Sequence, residues 1–250
     1  MAGVDCMNKP IGTPLFQPLY RQIKALITKS LITGEWSPGE AIPSEMEFAA
    51  KFGVSQGTVR KAIDELASEN IVVRRQGKGT FVATHSEEVV KLRFLRLVAE
   101  DGSKELLDNK LLSCERSKAT ADIAMKLNIK TGSAVIDIKR LLLFSNKPLI
   151  LDRVILPAAA FKGVTAERIE AFNGSMYHMY ETQLGIHMVR AYERLIAVGA
   201  DAEVANLLGL KKGTPLLSIE RVAYTYDDKP MEWRLGLCLT EDHYYLNQLE

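Results

Sequence analysis

Gln56, Arg60 and Lys61 follow a serine, Ser55, and are interleaved with the apolar series Val59, Ala62, Ile63 and Leu66. That series recurs at i, i+3, i+4 and i+7, so it lines one face of a helix and leaves the polar side chains outside. An amide and a guanidinium on the exposed start of a helix are the groups that bond bidentately to adenine and to guanine in a DNA major groove. Ser44, Ser55 and Thr58 offer hydroxyls to phosphate, although capping alone accounts for the two serines. Gly57 is costly in a helix and lets backbone N–H groups approach an anion closely. Further on, Gln76, Gly77 and Lys78 form a glycine-tipped turn suited to the sugar–phosphate backbone or the minor groove. A surface ion pair with Asp64, four residues along the same helix, is the alternative use of Arg60. Lys61 is open between phosphate contact and a solvated charge.

The elements that must hold these groups read as a helix-turn-helix with a wing. Ser44 and Glu47 form a capping box, Gly53 stops that helix, and Ser55 caps the next, whose N-terminal end meets base edges in such motifs. An amphipathic helix is predicted before them from Pro18 to Ile32, with Leu19, Ile23, Leu26, Ile27 and Ile32 near helical spacing. Ile71–Arg75 and Thr80–Ala83 are predicted strands around the wing tip. Residues 1–17, with Gly3, Pro10, Gly12 and Pro14, read as a loose leader.

Composition alone points elsewhere. The 250 residues hold 32 Lys and Arg against 31 Asp and Glu, a balance that does not announce nucleic-acid binding. Residues 1–85 hold ten basic against eight acidic side chains, so the small excess sits beside the motif. No apolar run reaches the roughly eighteen residues of a membrane span, and no secretory signal opens the chain. Three scattered cysteines, Cys6, Cys114 and Cys238, fit a reducing cytoplasm and read as small fillers. His85, His178, His187 and His243 show no metal spacing, so neither metal nor cofactor is expected. An enzyme reading lacks a nucleophile–base pair or phosphate-cradling loop. A winged helix used only for protein contact would lack the steep salt dependence of DNA binding.

Beyond a polar linker, Thr84–Arg93, an internal repeat begins. Ala121–Ser133 matches Ala202–Thr214 at an offset of 81 residues, continuing through Val135–Arg140 against Leu216–Arg221. After one inserted residue, Lys147-Pro148 matches Lys229-Pro230. Each copy reads as a short helix, a Gly turn, a strand ending in Arg, a polar hairpin and a second strand. Two such units predict one mainly antiparallel sheet with helices on a face, an α+β domain.

Pro18-Leu19-Tyr20, Gly34, Pro43-Ser44-Glu45, Gly53-Val54-Ser55, Thr58-Val59-Arg60 and Gly77-Lys78-Gly79-Thr80-Phe81-Val82 resemble the winged helix of the GntR family of bacterial regulators. The resemblance implies homodimers on a palindromic operator in double-stranded DNA, with the wings in the minor groove. Met46 and Gln56 stand where many members carry DNA-contacting arginines, Arg60 is kept, and Gln76-Gly77 falls at the wing tip. The remainder, with Arg140, Leu151-Asp152-Arg153, Gly174–Tyr177 and Pro230-Met231-Glu232, is similar to the UTRA effector domain of the HutC-like subfamily, a chorismate-lyase-like fold. By that resemblance Arg140 binds an anionic or polar group, Asp152 accepts effector hydroxyls, Ser175 and Tyr177 lie on a closing loop, and Glu232 lines the site. Arg140 paired with Asp152 or Glu232, and Tyr177 and Tyr180 as plain core aromatics, are the structural alternatives. Leu142 replaces a second arginine found in many phosphosugar sensors, which leaves phosphosugar, amino-acid-like and carboxylate effectors open. The expected division is a winged helix-turn-helix at 10–84, a linker at 85–93 and a UTRA-like effector and dimerisation domain at 94–250. The expected function is an effector-controlled, cytoplasmic, non-enzymatic transcription factor, a repressor rather than an activator.

Overall fold

A computed structural model describes residues 17–84, 96–102, 107–172 and 175–247. The expected linker, 85–93, and the leader up to residue 16 lie outside them.

The N-terminal part is three helices and a two-stranded wing: α1 (Leu19–Ile32), α2 (Glu45–Phe52), α3 (Gln56–Ser68), β1 (Val72–Arg75) and β2 (Gly79–Val82). The capping signals are realised. Ser44 and Glu47 make a reciprocal capping box, Gly53 closes α2 at φ +65°, and the Ser55 side chain accepts the N–H of Thr58. Val59, Ala62, Ile63 and Leu66 are fully buried, packed with Ile23, Ile27, Phe48 and Val82. On α1 the buried stripe is Ile23, Ile27, Thr28 and Leu31, whereas Leu19, Leu26 and Ile32 of the expected apolar face lie exposed. Residues four apart keep to one face, and Leu26 and Ile32 lie off the line through Ile23, Ile27 and Leu31, while Leu19 is on that line but at the open first turn. β1 and β2 pair antiparallel from Val72–Val82 to Arg75–Gly79, with the left-handed Gly77 (φ +70°) at the tip.

The C-terminal part holds β3 (Leu97–Ala99), β4 (Leu107–Lys118), α4 (Ala121–Lys126), β5 (Ala134–Phe144), β6 (Lys147–Pro157), α5 (Ala166–Ala171) and α6 (Met176–Leu184). It continues with β7 (Arg190–Gly199), α7 (Ala202–Leu208), β8 (Pro215–Tyr224), β9 (Pro230–Cys238) and β10 (His243–Tyr245). Six strands form one antiparallel sheet in the order β4-β5-β6-β9-β8-β7, while β3 and β10 pair separately. The repeat is visible in that order. Each copy contributes a helix and a hairpin, and the two meet at a β6–β9 seam with β4 and β7 as outer strands.

The sheet buries both faces. On one, Ile123 and Ala124 of α4 and its C-cap Leu127 pack on Val135, Ile155 and Trp233, and Val204, Ala205 and Leu208 of α7 pack with Leu141 and Leu216. On the other, Met176, Tyr177 and Tyr180 of α6 cover Ile136, Ile138, Val154 and Leu156. One expectation is corrected: β5 and β8 do not end at Arg140 and Arg221. They run on to Phe144 and Tyr224, because the apolar residues Leu141–Phe144 and Val222–Ala223 suit a sheet buried on both faces and stay paired with the flanking strands. Both arginines therefore stand mid-strand, within the sheet.

Candidate functional site

Two constellations emerge, one exposed and one buried. On the exposed side, Gln56, Arg60 and Lys61 project from α3 opposite its buried face. Glu45, at the start of α2, collects the first two: its carboxylate accepts from Arg60 Nε at 2.9 Å and from Gln56 Nε2 at 3.4 Å. It also accepts from Arg74 Nη2 of β1 at 3.0 Å. Asp64 pairs with Arg74 rather than with Arg60, so the i+4 pair considered for Arg60 does not form. Lys61 holds its ammonium 4.1 Å from the centre of the Tyr20 ring.

The hydroxyls of Ser44, Ser55 and Thr58 are committed to helix starts. Ser44 joins Glu47, and Ser55 Oγ lies 2.8 Å from Thr58 Oγ1. Met46 is exposed on α2. At Gly57 an added Cβ would meet only Ser55 Oγ, at 3.9 Å, so no neighbour in the protein demands glycine there. Gln76, Gly77 and Lys78 form the exposed wing tip, with Lys78 N–H donating to Arg75 C=O at 2.9 Å. Glu45 and Arg74 were not among the candidates; their partners lie 15 and 29 residues apart in sequence, beyond any local spacing rule.

The buried constellation crosses the sheet as a belt. Arg140 on β5 and Asp152 on β6 are directly opposed, and Arg140 Nε donates to Asp152 Oδ2 at 2.7 Å. Across the seam, Arg234 Nε on β9 lies 3.7 Å from Asp152 Oδ1 and 3.2 Å from Glu232 Oε1. Glu232, fully buried, accepts from Tyr177 Oη at 2.7 Å and Tyr180 Oη at 3.2 Å. Arg221 on β8 donates through Nε to Glu193 of β7 at 2.6 Å, and Tyr245 of β10 also bonds Glu193. Thus Arg140, Asp152, Tyr177 and Glu232 gather as one network. Ser175 and Tyr177 do not lie on a loop as expected: Ser175 caps α6, its Oγ accepting the N–H of His178 at 3.1 Å, and Tyr177 is buried in the first turn of that helix. Arg234 and Glu193 went unnoticed in the sequence, although the repeat supplies a signal: Arg234 is the counterpart of Asp152 once the inserted residue is counted.

Electrostatics fix the charge states. Burial pushes the Asp152 carboxyl up, but Arg234 and Arg140 outweigh it and hold it below the ordinary value. Burial and then Glu232 push the Tyr177 and Tyr180 phenols up, which keeps them as donors. Burial pushes the Cys238 thiol up to about 12, away from a nucleophile's range. Among the described residues no three His, Cys, Asp or Glu side chains gather as a metal site, and no described helix is long and apolar enough to cross a membrane. The belt has the chemistry of recognition: fixed donors and acceptors beside apolar walls.

Residues 19–82 match the family described as bacterial regulatory proteins of the gntR family, and residues 105–244 match the UTRA domain. The chain is 33% identical over 230 residues to the HTH-type transcriptional regulator YurK of Bacillus subtilis, covering 89% of this chain and 92% of that one. It is 30% identical over 217 residues to the HTH-type transcriptional repressor NagR of Bacillus subtilis, covering 86% and 88%. Among solved structures, the ligand-binding domain of a putative GntR-family regulator from Bordetella bronchiseptica superposes with a TM-score of 0.62 at 40% identity. That likeness covers 63% of this chain and 98% of the other.

Proposed function

This chain belongs to the gntR family of bacterial regulatory proteins and carries a UTRA domain, and we propose that it acts in the cytoplasm as a homodimeric repressor that releases a palindromic operator when its effector binds. It is a DNA-binding transcriptional regulator, not an enzyme. The observation that carries the DNA reading is α3 itself, with its rear face wholly buried and Gln56, Arg60 and Lys61 exposed at its start. In the proposed complex Arg60 reads guanine and Gln56 adenine, while Lys61 and Lys78 meet phosphates and Gly77 lets the wing tip enter the minor groove. Ser44, Met46, Ser55, Gly57, Thr58 and Gln76 complete the contacting surface. The repressor sign is supported by relatives that bear that name, NagR of Bacillus subtilis and MngR of Escherichia coli.

For the effector, the belt of Arg140, Asp152, Tyr177 and Glu232 is the proposed site, with Ser175 capping the helix that carries Tyr177. The proposed division remains 10–84, 85–93 and 94–250. Effector control is a linkage: a ligand moves the protein off DNA only by binding the DNA-incompetent arrangement more tightly. Two routes for that coupling suggest themselves, the linker and the contact by which Val189 and Tyr226 join the winged-helix core.

Selection of duplexes from a random pool by the full-length protein tests the DNA reading. The expected result is a palindromic site whose binding weakens steeply as salt rises. Recovery of no sequence preference would sink it. Replacing Thr84–Arg93 with a Gly/Ser linker should leave operator binding intact and abolish the effector's action. Undiminished effector control in that variant would remove the linker from the route.

A further inference from the structure

The two outer strands of the six-stranded sheet differ as edges. β4 is blunted: it carries Asp108, Lys110, Glu115, Arg116 and Lys118, slips register against β5 between Leu111 and Ser113, and packs with α5. β7 runs ten residues in unbroken register with β8, from Arg190–Tyr224 to Gly199–Pro215. Among the described residues no strand pairs with its outer side. Tyr192 and Ile196 lie exposed on one face of it and Leu195 on the other. Its charges, Arg190, Glu193 and Arg194, fall in its first half, and each is paired within the chain, with Asp228, Arg221 and Glu220. The second half is Leu195-Ile196-Ala197-Val198-Gly199.

A long apolar edge with outward N–H and C=O groups is a template for another strand. The order of residues along β7 selects which one. Laid antiparallel on its own copy, the charged half of each strand meets the apolar half of the other, whereas an in-register parallel pair would stack like charge on like. A twofold axis through the sheet keeps every residue on its own face, so only residues of like parity oppose one another. Centred on Glu193 or Arg194, the pair would set a charge against its copy. Centred on Ile196, it would carry Tyr192 past the end of the partner strand. Centred on Leu195, it sets Leu195 on its copy, Tyr192 on Val198, Glu193 on Ala197, and Ile196 on the aliphatic stem of Arg194. Each exposed apolar side chain then gains a neighbour.

We infer that a second copy of this chain seats on β7, antiparallel and centred on Leu195, joining the two six-stranded sheets into one. The inference rests on the homodimer reading and gives it a surface. β7 is also where the belt ends, because its Glu193 accepts from Arg221, which lines the cleft between the sheet and the strands β3 and β10. The seam between protomers therefore adjoins both belts.

Sedimentation of the full-length protein over a concentration series, with Leu195→Lys and Leu195→Cys beside the parent, tests it. The parent should sediment as a dimer. Leu195→Lys sets two ammonium groups face to face at the axis and should raise the dimer dissociation constant at least about tenfold. Its circular dichroism should match the parent's, since Leu195 is exposed. Leu195→Cys reads the register. Opposed residues of antiparallel strands stand about 4.5–5.5 Å apart at Cα, within reach of a disulfide, so mild oxidation should link two chains well above the background of the parent's own cysteines. Met125→Cys, at an exposed position on α4, should stay at that background. A parent dimer that Leu195→Lys leaves intact and Leu195→Cys fails to cross-link would overturn the β7 seam and leave the homodimer to another face. A parent that stays monomeric throughout the series would overturn both.

Discussion

Arg60 and Arg140 each lie within 3 Å of a carboxylate oxygen, 2.9 Å from Glu45 and 2.7 Å from Asp152. The media differ. The Arg60 side chain is 57% exposed, and that of Arg140 is 7% exposed. A pair in water contributes little to stability and exchanges partners readily, so Glu45 can hold Arg60 and Gln56 in place without competing strongly with a base edge. A buried pair has given up its water, and neither member can be left alone without a large penalty. The same two residue types therefore form a movable, solvent-facing pair in one half and a fixed frame in the other.

Asp152→Asn should separate the regions most sharply. It leaves Arg140 and Arg234 without their shared carboxylate and should cost about 3–5 kcal/mol in a urea titration. The parent also carries an acid dependence through this group. Its folded pKa is lowered, so its contribution is complete above the ordinary carboxylate value of 3.8 and is lost as pH falls through the lowered value. The variant should lose that component; an unchanged urea midpoint would mean the belt is not the frame described.

Next in size are the reader and the wing. Arg60→Ala should weaken operator binding by about 1–3 kcal/mol and barely change binding to random duplex, while Lys78→Ala should weaken both alike. Equal losses on both duplexes for Arg60→Ala would reassign that arginine to the phosphates. The smallest effect is expected from Glu45→Gln. Its stability should change by less than about 1 kcal/mol, because its partners are exposed. Base preference should relax in the same variant, since Gln56 and Arg60 lose their common anchor. Retained preference in a selection experiment would show that Glu45 does not orient the reader.

What was legible follows the range of the interactions. The caps at Ser44 and Ser55, the stop at Gly53 and the buried face of α3 depend on residues three or four apart, and all stand where the sequence places them. The hairpin between Arg140 and Asp152 was equally readable from the repeat, so their pairing is the open alternative made real. What escaped is long-range. Glu45 meets Arg74 across 29 residues, and Glu193 meets Arg221 and Tyr245 from an outer strand, contacts no periodicity encodes. On α1, Leu26 and Ile32 drew the helical stripe too wide and Leu19 drew it a turn too long.

The seam between β6 and β9 brings the duplicated halves together with their roles exchanged. Asp152 of one copy faces Arg234, its counterpart in the other, at 3.7 Å. Two identical halves would set like charge against like at this point. The backbone thus keeps a twofold likeness that the side chains abolish, and the cleft beside the seam has a distinct head and tail. A small molecule placed there would meet different walls when turned end for end, so its two ends would not be interchangeable.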